Sequence, residues 1–316
     1  MPVFLDTPQP ISMASLTNGV FGPLTSGAPA GTTGVILNYV CPSGFNLFTS
    51  FRMTGSTDTQ TFVPGNGSNG MAWYITGVDS LGRFDMNTSD HTHGTLYLTG
   101  YFGSEAFFFQ NSPYNYVTTS SFVTNSLAAN CPGAIAAIFD INGGGNGTNL
   151  YQPGSSDVYI LGTPQSAIVG LDSGQNYRIR NANGATLYLR GYLSTGISWH
   201  QNSTAVGGSF TAGVFQNVAK ASGDPGDGSI TGYVYYTLAS GANVYSLAGP
   251  SCNTGSYDPQ HNSVLGSGGS QAFCGGSTNG SPSQIKPSNS AQALNELAYF
   301  FPVLPPQISM FSAVLP

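Results

Sequence analysis

Residues 95–102 read Thr95-Leu96-Tyr97-Leu98-Thr99-Gly100-Tyr101-Phe102, and residues 186–193, 91 positions later, read TLYLRGYL. In the first block Leu96, Leu98, Gly100 and Phe102 fall on one side, and Thr95, Tyr97, Thr99 and Tyr101 on the other. A period of two with one apolar side is the pattern of a half-buried antiparallel strand. The second block keeps that pattern. Leu187, Leu189, Gly191 and Leu193 form its inward set, and Tyr188 and Tyr192 repeat the outward tyrosines. The one charged change, Thr99 to Arg190, falls on the face expected to point outward.

Working outward, ITGVDSLGRFDM (75–86) recurs as IVGLDSGQNYRI (168–179), 93 positions on, and FQNS (109–112) recurs as HQNS (200–203). Three blocks in one order with near-constant spacing mark an internal repeat. Gly77 and Gly170 precede a turn in each copy. Asp79 with Gly82, and Asp172 with Gly174, supply a turn-opening carboxylate and a glycine suited to positive φ. An apolar run lies upstream of each, GVILNYV (34–40) and AIAAIFDI (134–141), and a third, ITGYVYYTL (230–238), has no VDS or TLYL block after it. The expected organisation is all-β: an N-terminal arm at 1–23, β-sandwich or jelly-roll-like copies at 24–120 and 121–214, and a divergent C-terminal β unit with an arm at 215–316. The one helical spacing is at 291–300, with Ala293, Leu294, Leu297 and Ala298 on one face and Asn289 or Ser290 as its start.

Charge narrows the function. With 7 Lys+Arg against 13 Asp+Glu, 6% charged residues, a net charge of −6 and a pI near 4.8, the chain cannot supply the phosphate neutralisation that nucleic-acid binding needs. No apolar stretch approaches the ~18 residues of a membrane-spanning helix. The opening MPVFLDTPQPISM lacks a basic n-region and an apolar h-region, so no signal peptide is expected and synthesis in a cytoplasm follows. Interfaces are depleted in Lys, Glu and Asp. So low a charge therefore points to a surface covered by partners, with a homo-oligomer among them.

Groups for catalysis are sparse. There is no GxSxG elbow, Walker loop or HExxH pair, so neither an enzyme nor a cofactor is expected. GGGNG (143–147) reads as a hairpin loop rather than a phosphate cradle. His91 and His93, near Asp85 and Asp90, are the metal candidates, set against a solvated loop; the second copy has Asn-Ala-Asn-Gly there. Asp224 and Asp227 could offer oxygens to Ca²⁺ or simply open a turn. Cys41 and Cys131 each precede Pro. Cys252 and Cys274 bracket a Gly-rich loop and are either a disulfide or buried thiols. Tyr97, Tyr101, Tyr188 and Tyr192, with Phe107, Phe108, Phe109 and Trp199, are candidate interface or sugar-stacking aromatics; the alternative is packing between the copies.

PAGTTGVILNYV (29–40), RMTGSTDTQTF (52–62), AWYITGVDSLGRFDM (72–86) and TLYLTGYF (95–102) together resemble a β-rich repeat module of tailed-phage virion structural proteins. The likeness covers about 75 residues of the first copy and the later segments of the second, where GSTD becomes GSSD (154–157). The resemblance implies a virion component assembled in the host cytoplasm, a capsid decoration or head-fibre element, with other virion proteins as partners. It leaves open a receptor- or carbohydrate-binding tail fibre module engaging a host glycan, and a major capsid protein of a tandem jelly-roll shell. It carries over no catalytic residues. The apolar, Pro-rich ends, MPVFLDTPQPISM and FFPVLPPQISMFSAVLP, are expected to dock on neighbouring chains.

Overall fold

The structure, a computed structural model, describes residues 2–40, 45, 47–59, 71–113, 115–117, 120–142, 148–156, 160–161, 165–181, 185–206, 210–211, 213–225, 229–238, 245–248, 269–275, 283–287 and 294–302. Among these there is no helix. Strands β1 (Val3–Ile11), β2 (Gly22–Thr25), β3 (Gly34–Val40), β4 (Thr49–Met53), β5 (Met71–Gly77), β6 (Arg83–Thr88) and β7 (Thr95–Phe102) make the first sandwich. One sheet runs β1-β7-β3-β5 and the other β2-β6-β4. GVILNYV reads as an unbroken apolar run because β3 sits between β5 and β7 and is buried along its whole length.

The second unit contains β8 (Ala106–Phe108), β9 (Asn115–Val117), β10 (Val123–Ser126), β11 (Ala136–Asn142), β12 (Thr148–Tyr151), β13 (Ile160–Leu161), β14 (Gln165–Gly170), β15 (Asn176–Asn181) and β16 (Thr186–Leu193). Its sheets, β14-β11-β16-β8 and β10-β15-β12, repeat the strand orders of the first, with β9 added beside β16 and β13 beside β12. In both copies the ladder skips one residue. Gly100 faces Ile36 and Leu98 faces Leu37, leaving Thr99 in a bulge; Gly191 faces Ile138 and Leu189 faces Phe139, leaving Arg190 in the equivalent bulge. A bulge re-aims the side chain it carries. The expected outward placement is therefore corrected, because Thr99 and Arg190 are buried, at 6% and 3% exposure. The Thr99 hydroxyl donates to the Ile36 carbonyl (3.0 Å). Tyr97, Tyr101, Tyr188 and Tyr192 are half-buried.

The third unit holds β17 (Ile197–Ala205), β18 (Gln216–Asn217), β19 (Gly232–Leu238), β20 (Tyr245–Ala248), β21 (Gly269–Gly275), β22 (Gln284–Pro287) and β23 (Leu294–Phe300). The order β21-β19-β23-β17 over β18-β22-β20 is again the same sandwich, and β13, paired with β12 and with β21, joins its larger sheet to β10-β15-β12 as one eight-stranded sheet. The helix expected at 291–300 is a strand: Ala298 faces Val234 and Glu296 faces Tyr235, so Leu297 occupies the bulge held by Thr99 and Arg190 in the other units. One extra residue in a period-two strand sets apolar side chains at i, i+3 and i+4, which imitates a helix. By register Leu294, Tyr299 and Phe300 match Leu96, Tyr101 and Phe102, so the missing third block is LNELAYF.

Each unit completes its sheet with a strand from outside it. The segment after β7 pairs with β16 through β8, and the segment after β16 pairs with β23 through β17. Thus 106–108 and 197–205 cross the boundaries drawn from the repeat. The slot beside β7 is filled by β1, with Val3 facing Tyr101 and Phe4 facing Gly100. The N-terminal segment expected on a neighbouring chain is part of the first sandwich. Strands β5, β14 and β21 all touch one another, and the contacts repeat around them. The Ile75 N–H donates to Ser166 Oγ (2.9 Å), the equivalent Ile168 N–H donates to Gln271 Oε1 (2.8 Å), and the Trp73 and Phe273 rings meet at 6.2 Å. Phe108 packs on Phe102 of the unit that donates it, whereas Phe4 packs on Phe300 of the third unit. β1 therefore takes the place of a strand donated by the third unit: two strands are exchanged between sandwiches, and the chain's own N-terminal strand fills the remaining slot of a pseudo-threefold arrangement.

Candidate functional site

The two Asp-Ser turns carry the chain from one sheet of a sandwich to the other. Asp79 Oδ1 accepts from the N–H groups of Leu81 and Arg83 (both 2.9 Å), and Oδ2 accepts from the Arg83 guanidinium (2.9 and 2.7 Å). Partial burial opposes that charge, but the hydrogen bonds from Arg83 and Leu81 outweigh it and hold the carboxyl below its ordinary range. Asp172 makes the same turn, with Asn176 in the place of Arg83. Positive φ falls at Gly82 (71°) and at Gln175 (55°), not at Gly174. Gln175 is the non-glycine residue in that region among the described residues.

FQNS and HQNS hold the loops of the GSTD and GSSD blocks. Asn111 Oδ1 accepts from the Thr57 N–H (2.7 Å) and the Ser56 hydroxyl (3.0 Å); Asn202 Oδ1 accepts from the Ser156 N–H (2.8 Å) and its hydroxyl (3.0 Å). Each donated strand also delivers an aromatic wedge. Phe108 is buried over Gly34 and Gly77, where an added Cβ would lie 2.1 and 2.6 Å from it. Its equivalent, Trp199, covers Gly170, where a Cβ would lie 2.3 Å from the indole. Gly100 and Gly191 admit the backbones of Val3 and Phe107 at 2.8 and 2.3 Å from a virtual Cβ. These glycines serve close approach. Phe108 and Trp199 thus pack units together, Phe108 buried and Trp199 half-buried. Phe107 does face out, at 50% exposure, and clusters with Tyr192 (5.3 Å) and Phe109 (5.1 Å).

The first two units are also joined through a buried ion network. Arg190 pairs with Asp140 and, across the joint, with Asp58 at 2.6 Å. The Ser166 hydroxyl donates to Asp140 Oδ1 (2.6 Å). Burial pushes the Asp140 carboxyl above its ordinary range, and Arg190 and Ser166 pull against it. Register places Asn38 and Thr99 of the first unit where Asp140 and Arg190 stand in the second.

The metal candidates from sequence do not converge. His93 Nδ1 lies 2.6 Å from Asp90 Oδ2 and stacks on Phe45, while His91 Nδ1 lies 2.7 Å from Asn18 Oδ1. The Thr92 hydroxyl and N–H, then His93, pull the Asp90 carboxyl down to about 2. Asp85 is engaged by Arg52 and Thr54. Asp227, Cys41, Cys252 and therefore the Cys252–Cys274 disulfide lie outside the described residues; Cys274 contributes backbone to β21, opposite Tyr233. Cys131 is a buried free thiol, pushed up to about 12 by burial.

Sequence inspection passed over a cluster in the third unit. Glu296 stands at the register position of Leu98 and Leu189 and is fully buried. Its Oε1 lies 3.0 Å from His200 Nε2, and Asp224 Oδ1 lies 3.4 Å from the same nitrogen. The Ala221 N–H donates to Glu296 Oε2 (3.2 Å). Burial, then the nearby Asp224, push Glu296 up to about 7 against the hydrogen bond from His200; that bond, with both carboxylates, raises His200 against its own burial. The available signal was the strand register, which the helical spacing at 291–300 hid.

No protein-family model and no curated protein matches the chain. A chain in the atomic structure of Sulfolobus turreted icosahedral virus is similar at 11% identity over 94% of this chain and 91% of that one, with a TM-score of 0.23. A score so low carries no argument.

Proposed function

We propose that the chain is a non-enzymatic structural component of a virus particle, a capsid decoration or head-fibre element that works by protein–protein assembly. The carrying observation is the set of three like sandwiches joined by two donated strands, with β1 in the third slot. The phage-module likeness of 29–102 and the low charge favour the same reading.

In sequence, the residues after β23 correspond to those of β8 and β17 after β7 and β16. Their text, Pro302-Val303-Leu304-Pro305-Pro306-Gln307-Ile308-Ser309-Met310, echoes Pro2-Val3-Phe4 and Pro8-Gln9-Pro10-Ile11-Ser12-Met13. In this reading the second β1-like segment, which from Val303 on lies outside the described residues, replaces β1 in the slot beside β7 of another copy, giving a homo-oligomer. Light scattering of the full chain and of a chain lacking 302–316 tests this. The expected result is an oligomer for the full chain and, for the truncation, a monomer just below the 32.7 kDa of one full chain. Monomers in both refute it.

The Phe107–Phe109–Tyr192 cluster favours a second reading, a receptor- or glycan-binding surface, since exposed aromatic faces stack on sugars and anchor interfaces. Glycan-array binding lost in Phe107→Ala supports that reading; no binding removes it.

A further inference from the structure

Two of the three sandwiches place a leucine, Leu98 or Leu189, at a core position where the third places Glu296. The Asp224 side chain beside it is 1% exposed, and neither of its oxygens has a hydrogen-bond donor. Two carboxylates with almost no access to water meet one imidazole nitrogen. A single Nε2–H cannot satisfy both, and an uncompensated buried carboxylate is strongly destabilising.

The donor atoms of the three residues all lie within 4.8 Å of one another. His200 Nε2 is 3.0 and 3.4 Å from the two carboxylates. Donors bound tetrahedrally at 2.0–2.2 Å from a zinc ion lie about 3.3 Å apart, so His200 Nε2 already stands at ligand spacing from each carboxylate, and the third pair lies within 4.8 Å. One imidazole and two carboxylates suit Zn²⁺ and its transition-metal neighbours better than Ca²⁺ or Mg²⁺, which favour all-oxygen shells.

We propose that His200, Asp224 and Glu296 bind one divalent transition cation of the Zn²⁺ class. His200 lies on donated strand β17, where the pairing with β23 skips from Trp199 to Thr204, and Glu296 lies on β23 itself. Asp224 comes from the 221–225 turn of the third unit. The cation pins the donated strand to the sandwich that receives it. This goes beyond the assembly role and does not depend on it.

The test is titration of chelator-stripped full-length protein with Zn²⁺ against a chromophoric competitor, with thermal unfolding alongside. The expected result is one tight equivalent, a rise in Tm on adding Zn²⁺, and loss of both in Asp224→Asn and in Glu296→Leu, which restores the residue type of the other units. Binding persists in His93→Ala, the control for the exposed imidazoles. No saturable Zn²⁺ binding by the unmodified protein overturns the proposal without reference to any variant's folding. Undiminished binding in folded Asp224→Asn overturns the site, and a preference for Ca²⁺ or Mg²⁺ overturns the assigned class.

Discussion

Replacing Arg190 by Thr, the residue at its register position in the first unit, leaves Asp140 buried at 2% exposure without its counter-ion. Removing one partner of a buried pair costs about 3–5 kcal/mol. Asp58 contributes little to that loss, because its side chain is 15% exposed and it keeps the Ser112 N–H (2.9 Å). Adding Asp140→Asn rebuilds the Asn/Thr pair of the first unit. The double variant should therefore recover most of the loss, with a coupling of about 2–3 kcal/mol. Urea unfolding followed by both fluorescence and circular dichroism measures this, provided the two transitions coincide. The pH dependence has a definite sign. In Arg190→Thr the folded state raises the Asp140 carboxyl above its ordinary value of 3.8. Stability is then full below that value and falls as pH rises through the folded one, so the deficit against the unmodified protein shrinks on acidification. A loss below about 1 kcal/mol for Arg190→Thr, or a double variant no better than the sum of the two singles, refutes the account of a buried charge pair joining two units.

Three other outcomes are expected. Gln175→Gly relieves a side chain at φ 55° and should stabilise by about 0.5–1 kcal/mol, while Gly82→Gln should cost about 1–2 kcal/mol, both read as urea midpoints. Gly170→Ala sets a methyl 2.3 Å from the Trp199 ring. It should cost about 1–3 kcal/mol and shift tryptophan emission to the red as the indole is displaced. The Cys131 thiol, held up to about 12, should resist a thiol reagent at pH 8 in the folded protein and react on unfolding. Because its folded value exceeds the ordinary 9.0, the stability it contributes is present below pH 9 and lost as pH rises toward 12.

Alternation in TLYLTGYF and TLYLRGYL, with the spacing of their flanking blocks, was enough to read strands, two like units and an all-β fold. Period two and a covered apolar face are local consequences of the chain, and the inward set Leu96, Leu98 and Phe102 is buried as that pattern requires. The Asp79 and Asp172 turns were equally legible, because a carboxylate capping nearby N–H groups is short-range chemistry. What the sequence did not disclose turned on bulges and on partners distant in the chain. One skipped residue buried Arg190, made a strand look helical at 291–300 and hid the third copy of the repeat. Strand exchange set Phe108 and Trp199, candidate interface or ligand aromatics, as wedges over glycines, and pairing with β7 brought β1 into the first sandwich. His200, Asp224 and Glu296 are far apart in sequence and follow no motif. Only the closing of the third sandwich around β17 sets them within bonding reach of a single ion, since a site of long-range contacts exists nowhere in the one-dimensional pattern.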